Sequence, residues 1–162
     1  MPPEFDGLKD QLSRVVSGLT SVCEDLQDIS RGIHPAILSR GGLGPALKML
    51  ARRCTVPVAL DLNVDRRLPE TAEVAAYFIV SEALTNVAKH AQATEVTVSV
   101  RLTDRDLELT ITDDGVGGAG FGRGSGLIGL TDRVEALGGH LHVVSPPGGG
   151  TTLRASIPVD VE

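Results

Sequence analysis

Hydrophobic residues follow two different spacings along the chain, and the change lies near residue 42. In the first part, apolar positions are alternately four and three residues apart, which is the heptad pattern of a helix that packs against another helix. They are Leu8, Leu12, Val15, Leu19, Val22, Leu26, Ile29 and Ile33. Asp6 fits the N-cap of this helix, and Pro35 ends it because proline cannot donate to the helical ladder. We therefore predict a long N-terminal helix that pairs two chains through residues 8–33, with folding back onto the rest of the chain as the alternative.

Beyond Gly42 the pattern switches repeatedly between helix and strand. Helical spacing predicts helices over about 43–54 and 127–137, and a segment without glycine or internal proline predicts a buried helix over 69–90. Strict alternation predicts strands over 56–64, 96–102, 107–111, 141–143 and 153–157, of which the last four form two antiparallel hairpins. The order α-β-α-β-β-α-β-β predicts an α+β fold, a two-layer sandwich with helices on one face of a mixed, mainly antiparallel sheet.

Composition narrows the possible functions. The 162 residues suffice for one domain with a helical extension, and 15 Lys and Arg against 21 Asp and Glu give a net charge of −6. This charge repels phosphate backbones, and aromatic residues make up only 2% of the chain, so nucleic-acid binding is disfavoured. The longest apolar run, 74–80, is too short to span a membrane, and the N-terminus does not resemble a secretory signal. We expect a cytoplasmic location without membrane contact, and reduced Cys23 and Cys54.

Three segments carry the candidate chemistry. Glu82, Asn86 and His90 recur every four residues in the buried helix, which would place them on one face, although such a glutamate can simply reach solvent. The segment DDGVG at 113–117 directly follows a strand, where loops build sites, although Asp and Gly are also common turn formers. The segment GSGLIG at 124–129 leads into a helix start, which favours an anion. A dinucleotide-binding role is disfavoured because the preceding strands form a hairpin and not a βαβ unit.

In this order the segments resemble the ATP-binding domain of sensor histidine kinases, which belong to the Bergerat-fold ATPases. EALTNVAKHA resembles the N box, DDGVG the first glycine box and GSGLIGL the second, and GGGT at 148–151 is similar to the closing glycine-threonine element. LQDISRGIHPAILSRGGLGPAL resembles the second dimerisation helix and connector of kinases of the nitrate-sensor type. The resemblance implies a partial dimerisation helix and connector over 1–42 and an ATP-binding catalytic domain over 43–162.

The resemblance also implies roles for the matching residues. Asp113 would accept a hydrogen bond from the adenine amino group, and Thr151 would support that contact through water. Asn86 would hold Mg²⁺ between the phosphates of ATP. The remaining nucleotide-binding positions would be Gly115, Gly117, Gly124, Gly126, Leu127 and Gly129.

Three residues match catalytic positions of the family. Glu82 would assist phosphoryl transfer as a base or an orienting group, while Lys89 and His90 would face the phosphates. This agrees with the chemistry of phosphoryl transfer, which depends on positioning and charge neutralisation more than on covalent steps.

The expected phosphoacceptor is the main departure from the family. There the acceptor histidine lies on the first dimerisation helix in a basic-His-Asp context, and no such motif occurs in this sequence. His34, directly before Pro35, is interpreted as structural, so we expect a kinase fragment that does not phosphorylate itself. Its expected partners are ATP, a dimerisation and phosphoacceptor region, and a response regulator. The alternative is a Bergerat-fold regulatory module, such as an anti-sigma-type serine kinase or a degenerate ATP-binding domain.

Overall fold

A computed structural model of the chain describes residues 35–119 and 125–159, together with Val15. The chain divides between His34 and Pro35, and the unit described below is the second one. Apart from Val15, the heptad stripe at 8–33 lies outside the described residues, as does His34, so the pairing of two chains stays a prediction. The functional boundary between residues 42 and 43 also stays a prediction.

The second unit contains four α-helices and five strands among its described residues. The helices are α1 (Ala36–Gly41), α2 (Leu43–Arg53), α3 (Glu70–Asn86) and α4 (Ser125–Glu135). The strands are β1 (Val58–Asn63), β2 (Val96–Leu102), β3 (Asp106–Asp113), β4 (His140–Val144) and β5 (Thr151–Pro158). Within the described residues, no helix is both long enough and apolar enough to cross a membrane.

The five strands form one mixed sheet in the order β1-β2-β3-β5-β4. The β1–β2 pair is parallel, since α3 lies between these strands in the chain and provides the crossover that parallel pairing needs. All other neighbours are antiparallel, and the two predicted hairpins are confirmed as β2–β3 and β4–β5. The last residues of β3 pair with the first residues of β5, so the two hairpins meet where these central strands end and begin.

Alternation along the strands separates a helix-covered face from an open one. On β2, Val96, Val98 and Val100 are fully buried, whereas Thr97 and Arg101 are exposed. The buried side chains join those of α2, α3 and α4 in one hydrophobic core, whose burial is the main favourable term in folding. The predicted α+β sandwich, with helices on one face of the sheet, is therefore confirmed.

The buried helix departs from the prediction at its C-terminal end. A regular α-helix ends at Asn86, and residues Val87–Ala91 form a π-helical turn. A π-turn bonds each residue to the fifth along and not the fourth, so the α-helical spacing that put His90 directly above Asn86 does not apply there. The turn ends at Gln92, which has a left-handed φ of 51° and is the only described residue other than glycine with a positive φ.

An ion pair ties the start of this unit to α3. Arg67 donates from Nε to Oε1 of Glu73 and from Nη2 to Oε2, both at 3.0 Å, and Nη2 also donates to the carbonyl oxygen of Leu38 at 3.0 Å. The Leu68 amide donates to Glu73 Oε1 at 3.1 Å, so the carboxylate is satisfied although it is only 2% exposed. The hydrogen bonds and charge of Glu73 raise the pKa of Arg67 above its usual value. This network fixes α1 against the first turn of α3.

We expect Glu73→Gln to lower the free energy of unfolding by about 2 kcal/mol, because the buried side chain loses its charge and the NH2 group that replaces one oxygen can no longer accept one of the hydrogen bonds from Arg67. Thermal and urea denaturation followed by circular dichroism measure this loss. Glu135→Gln, at an exposed position at the end of α4, is the matched control and should change stability by less than about 0.5 kcal/mol. Equal stability of the two variants would contradict the structural role of the pair.

The fourth helix begins two residues earlier than predicted, at Ser125, and also ends two residues earlier, at Glu135. Its apolar stripe includes the buried Leu130 and Val134. Past Glu135 the chain closes with Gly138 at φ 77° and a hydrogen bond from the Gly139 amide to the Val134 carbonyl at 3.0 Å, which is the Schellman pattern. The predicted glycine C-cap is therefore confirmed.

Candidate functional site

The polar and glycine-rich segments meet around the C-terminal half of α3. The DDGVG loop contacts the π-turn, the start of β5 contacts the DDGVG loop, and the first turn of α4 contacts α3. Each of these contacts depends on a glycine or a small residue, because backbone approaches side chain or backbone directly. The site is therefore built by the DDGVG loop, the start of β5 and the first turn of α4 around the C-terminal end of α3.

Asp113 is the last residue of β3, and its side chain is only 7% exposed. Its Oδ1 accepts a hydrogen bond from the Gly115 amide at 2.9 Å, which fixes the carboxylate at the mouth of the loop. On the neighbouring strand its partner is Thr151, so the two residues lie side by side where two central strands of the sheet end and begin. A buried carboxylate held this way is an oriented hydrogen-bond acceptor.

The two glycines of the loop are required by packing. A Cβ on Gly115 would overlap the carbonyl oxygen of Ala91, the last residue of the π-turn, and the Val116 amide donates to that same oxygen at 2.8 Å. Gly117 has a φ of 65°, and a Cβ there would overlap the carbonyl oxygen of Pro146. The loop is therefore pressed between the π-turn and the β4–β5 turn.

Ser145 organises the opposite wall, and sequence reasoning did not single it out. Its Oγ lies 2.8 Å from Thr151 Oγ1 and accepts a hydrogen bond from the Ala119 amide at 2.9 Å. Its carbonyl oxygen accepts from the Gly118 amide at 3.0 Å. Ser145 thus joins the DDGVG loop to the threonine at the start of β5. The Pro-Pro-Gly-Gly-Gly turn that follows it was the only signal in the sequence.

The second aspartate of the pair has a separate, structural role. Asp114 is exposed and accepts hydrogen bonds from the Thr94 amide at 2.8 Å, the Glu95 amide at 3.1 Å and the Thr94 hydroxyl. These bonds, led by the one from the hydroxyl, hold the pKa of Asp114 below its usual range. Asp114 therefore anchors the turn that leads into β2, while Asp113 faces the site.

The candidate catalytic residues lie on both sides of the change from α-helix to π-turn. Glu82 and Asn86, four residues apart on α3, are half-buried. Lys89 and His90 lie in the π-turn, and their side chains are exposed, so an anion in solvent can reach them. Gln92 follows the π-turn and has a left-handed backbone conformation, which costs free energy for a residue other than glycine. No signal for this conformation occurs in the sequence.

The predicted glycines of the second box differ in their surroundings. A Cβ on Gly126 would overlap Oε1 of Glu82, whereas a Cβ on Gly129 would meet nothing within 4 Å. Leu127 packs partly against the hydrophobic core. Gly124 lies outside the described residues. Whether these residues contact a nucleotide stays a prediction.

Residues 71–161 match the family described as histidine kinase-, DNA gyrase B-, and HSP90-like ATPase, and the chain belongs to this family. The expected membership of this ATPase family is therefore confirmed, and the regulatory-module alternative is not favoured.

The curated relatives of this chain include sensor histidine kinases. It is 35% identical over 149 residues to the sensor histidine kinase NarS of Mycobacterium tuberculosis (strain ATCC 25618 / H37Rv), covering 86% of this chain and 35% of the relative. It is 26% identical over 163 residues to the oxygen sensor histidine kinase NreB of Staphylococcus carnosus (strain TM300), covering 95% of this chain and 47% of the relative. The chain thus spans less than half the length of these relatives.

Solved structures agree on the fold. The histidine kinase AdeS of Acinetobacter baumannii superimposes with a TM-score of 0.62 at 16% identity, covering 99% of this chain and 87% of that one. The blue-light activated histidine kinase EL346 of Erythrobacter litoralis gives a TM-score of 0.59 at 24% identity, covering 73% of this chain and 41% of that one.

Proposed function

We propose that this chain binds Mg-ATP and transfers the γ-phosphate to a histidine on the dimerisation region of a two-component sensor kinase. The observation that carries the proposal is Asp113, a buried carboxylate fixed by the Gly115 amide at the meeting point of the glycine loops. Family membership supports ATP as the nucleotide.

Adenine recognition would depend on the pair of Asp113 and Thr151 at the ends of β3 and β5. The Asp113 carboxylate accepts a hydrogen bond from the exocyclic amino group of adenine, and guanine has no amino group at that position of the ring. Thr151, held by Ser145 at 2.8 Å, supports the contact through its hydroxyl. Gly115 and Gly117 hold the loop in this position, because they let it pack directly on the carbonyl oxygens of Ala91 and Pro146.

Magnesium would be held mainly by the phosphates, with Asn86 as the protein ligand. The carboxamide oxygen of Asn86 is a hard donor of the kind Mg²⁺ prefers, and Mg²⁺ usually keeps several waters and takes few protein ligands. Within the described residues no group of three or more His, Cys, Asp or Glu side chains could hold a metal ion, which is compatible with this sparse coordination. Bound Mg²⁺ would neutralise negative charge on the phosphates.

The transfer step would use α3 and the π-turn. Glu82 orients or deprotonates the attacking imidazole of the acceptor, while Lys89 and His90, exposed in the π-turn, face the phosphates. The γ-phosphorus bond to its bridging oxygen breaks, a bond to the imidazole nitrogen forms, and ADP leaves. A response regulator would then receive the phosphoryl group. A cytoplasmic location stays a prediction.

The proposal is tested by incubating the chain with γ-labelled ATP, Mg²⁺ and a separate protein that carries a dimerisation region with its phosphoacceptor histidine. We expect acid-labile label on the supplied protein and none on the chain alone, because the acceptor motif does not occur in this sequence. Label on His34 of the isolated chain would contradict the assignment of the acceptor. Acid-stable label on a serine would instead support the serine-kinase alternative.

Ser145→Ala is expected to weaken ATP binding about two- to tenfold, because the two neutral hydrogen bonds of its hydroxyl, to the Ala119 amide and to Thr151, are lost. Isothermal titration calorimetry measures the change. Ser156→Ala, on the same strand as Thr151 but far along β5, is the control and should leave the affinity unchanged. A Ser145→Ala variant that binds ATP as tightly as the wild type would show that Ser145 does not organise the binding site.

A further inference from the structure

A second feature of the site concerns the contact between α4 and Glu82. Gly126 is the second residue of α4 and faces the Glu82 side chain so closely that an added Cβ would overlap Oε1 and lie 2.9 Å from Cδ and 3.5 Å from Cγ. The first turn of α4 and the carboxyl group of Glu82 are therefore packed against each other with no room for a side chain between them.

Backbone geometry does not explain why this position is glycine. Gly126 is helical and does not have a positive φ, which is the conformation that favours glycine elsewhere in the chain. In a helix, glycine is less favourable than alanine. The close contact with Glu82 therefore explains why this position has no side chain.

Electrostatics favour the same arrangement. The first turn of α4 contains no acidic residue of its own, although the positive end of the helix dipole stabilises a negative group there. Glu82, reaching across from α3, brings a carboxylate to that turn. The position of α4 and the position of the Glu82 carboxylate are therefore coupled.

We propose that Gly126 is a positioning residue: by letting the first turn of α4 pack directly on Glu82, it fixes the carboxylate where phosphoryl transfer needs it. This inference rests on the proposed function, in which Glu82 acts on the acceptor imidazole. It gives the second glycine of the box a role towards the protein's own carboxylate, in addition to its expected role near the nucleotide.

The expected effect of Gly126→Ala follows from which atoms must move. The overlapping atoms are at the far end of a flexible side chain, so the new methyl group displaces the carboxylate at little cost to the fold. The rate of transfer at saturating Mg-ATP should fall at least tenfold, while the dissociation constant of ATP changes less than threefold. Gly44→Ala is the matched control, since Gly44 is the second residue of α2 and a Cβ there would meet nothing within 4 Å. It should change neither quantity.

A double-mutant cycle with Glu82→Ala separates positioning from a direct effect on the nucleotide. Once the carboxylate is removed, Gly126→Ala should lower the transfer rate no further. The melting temperature should then rise by about 3 °C, because the helix gains alanine without an overlap. In the wild-type background that gain should be absent. Glu82→Asp, which shortens the side chain by one methylene, should reduce the rate penalty of Gly126→Ala.

Coupling between the two positions in rate and melting temperature supports the inference. Equal effects of Gly126→Ala with and without Glu82, or a loss of ATP affinity as large as the loss of rate, would overturn it. A wild type that transfers no phosphate would contradict the proposed function. The melting temperatures of the single and double variants would still test the contact between Gly126 and Glu82, and additive changes in melting temperature would overturn the inference.

Discussion

Asp113→Asn is expected to weaken ATP binding about 10- to 100-fold. The carboxylate is replaced by an amide of the same shape, so the acceptor for the Gly115 amide is kept, but the charge-assisted bond to adenine is lost. Hydrogen bonds to charged groups contribute about 1.5–3 kcal/mol, and every 1.4 kcal/mol is a factor of ten in affinity. Calorimetric titration with Mg-ATP measures the change directly.

Asp114→Asn is the matched control for this experiment. It makes the same chemical change at the adjacent position, but Asp114 is exposed and bonded to Thr94 and Glu95, away from the adenine contact. We expect its ATP affinity to stay within threefold of the wild type. If both variants lose affinity alike, the separation of roles between the two aspartates is wrong.

The second large effect is expected for Glu82→Ala, which should reduce transfer to a supplied phosphoacceptor roughly 100-fold or more, within the usual range for removing a general base. The affinity for ATP should change less than threefold, because the carboxylate acts on the acceptor and not on adenine. Single-turnover transfer with saturating labelled Mg-ATP measures the rate.

Glu108→Ala provides the comparison for Glu82→Ala. Glu108 is an exposed glutamate on β3, on the face of the sheet that the helices leave open, so its removal should leave the transfer rate unchanged. Transfer by Glu82→Ala at the wild-type rate would show that Glu82 has no catalytic role.

Much of the fold could be predicted because local pattern and tertiary packing agree. Alternating residues on β2 and β3 have one face to bury and a polar turn between them, so the hairpin follows from the sequence alone. The glycine pair after α4 likewise marks its own end, since Gly138 takes a positive φ there. Motif order then led to the correct family.

The remaining features depend on contacts between distant parts of the chain. The π-turn at 87–91 and the left-handed Gln92 have no local signal, because the helical pattern continues through them. Ser145 acquires its role only when β5 brings Thr151 beside it. The bond from Arg67 to the Leu38 carbonyl joins residues 29 positions apart. Such pairings are set by topology and not by periodicity.

If this chain binds ATP and recognises adenine through Asp113, it must distinguish ATP from GTP. Calorimetric titration of the wild-type chain with ATP and with GTP, each with and without Mg²⁺, measures this difference. We expect one binding site per chain, at least tenfold preference for ATP over GTP, and tighter ATP binding with Mg²⁺. No heat of binding with ATP, or equal affinity for the two nucleotides, would contradict it.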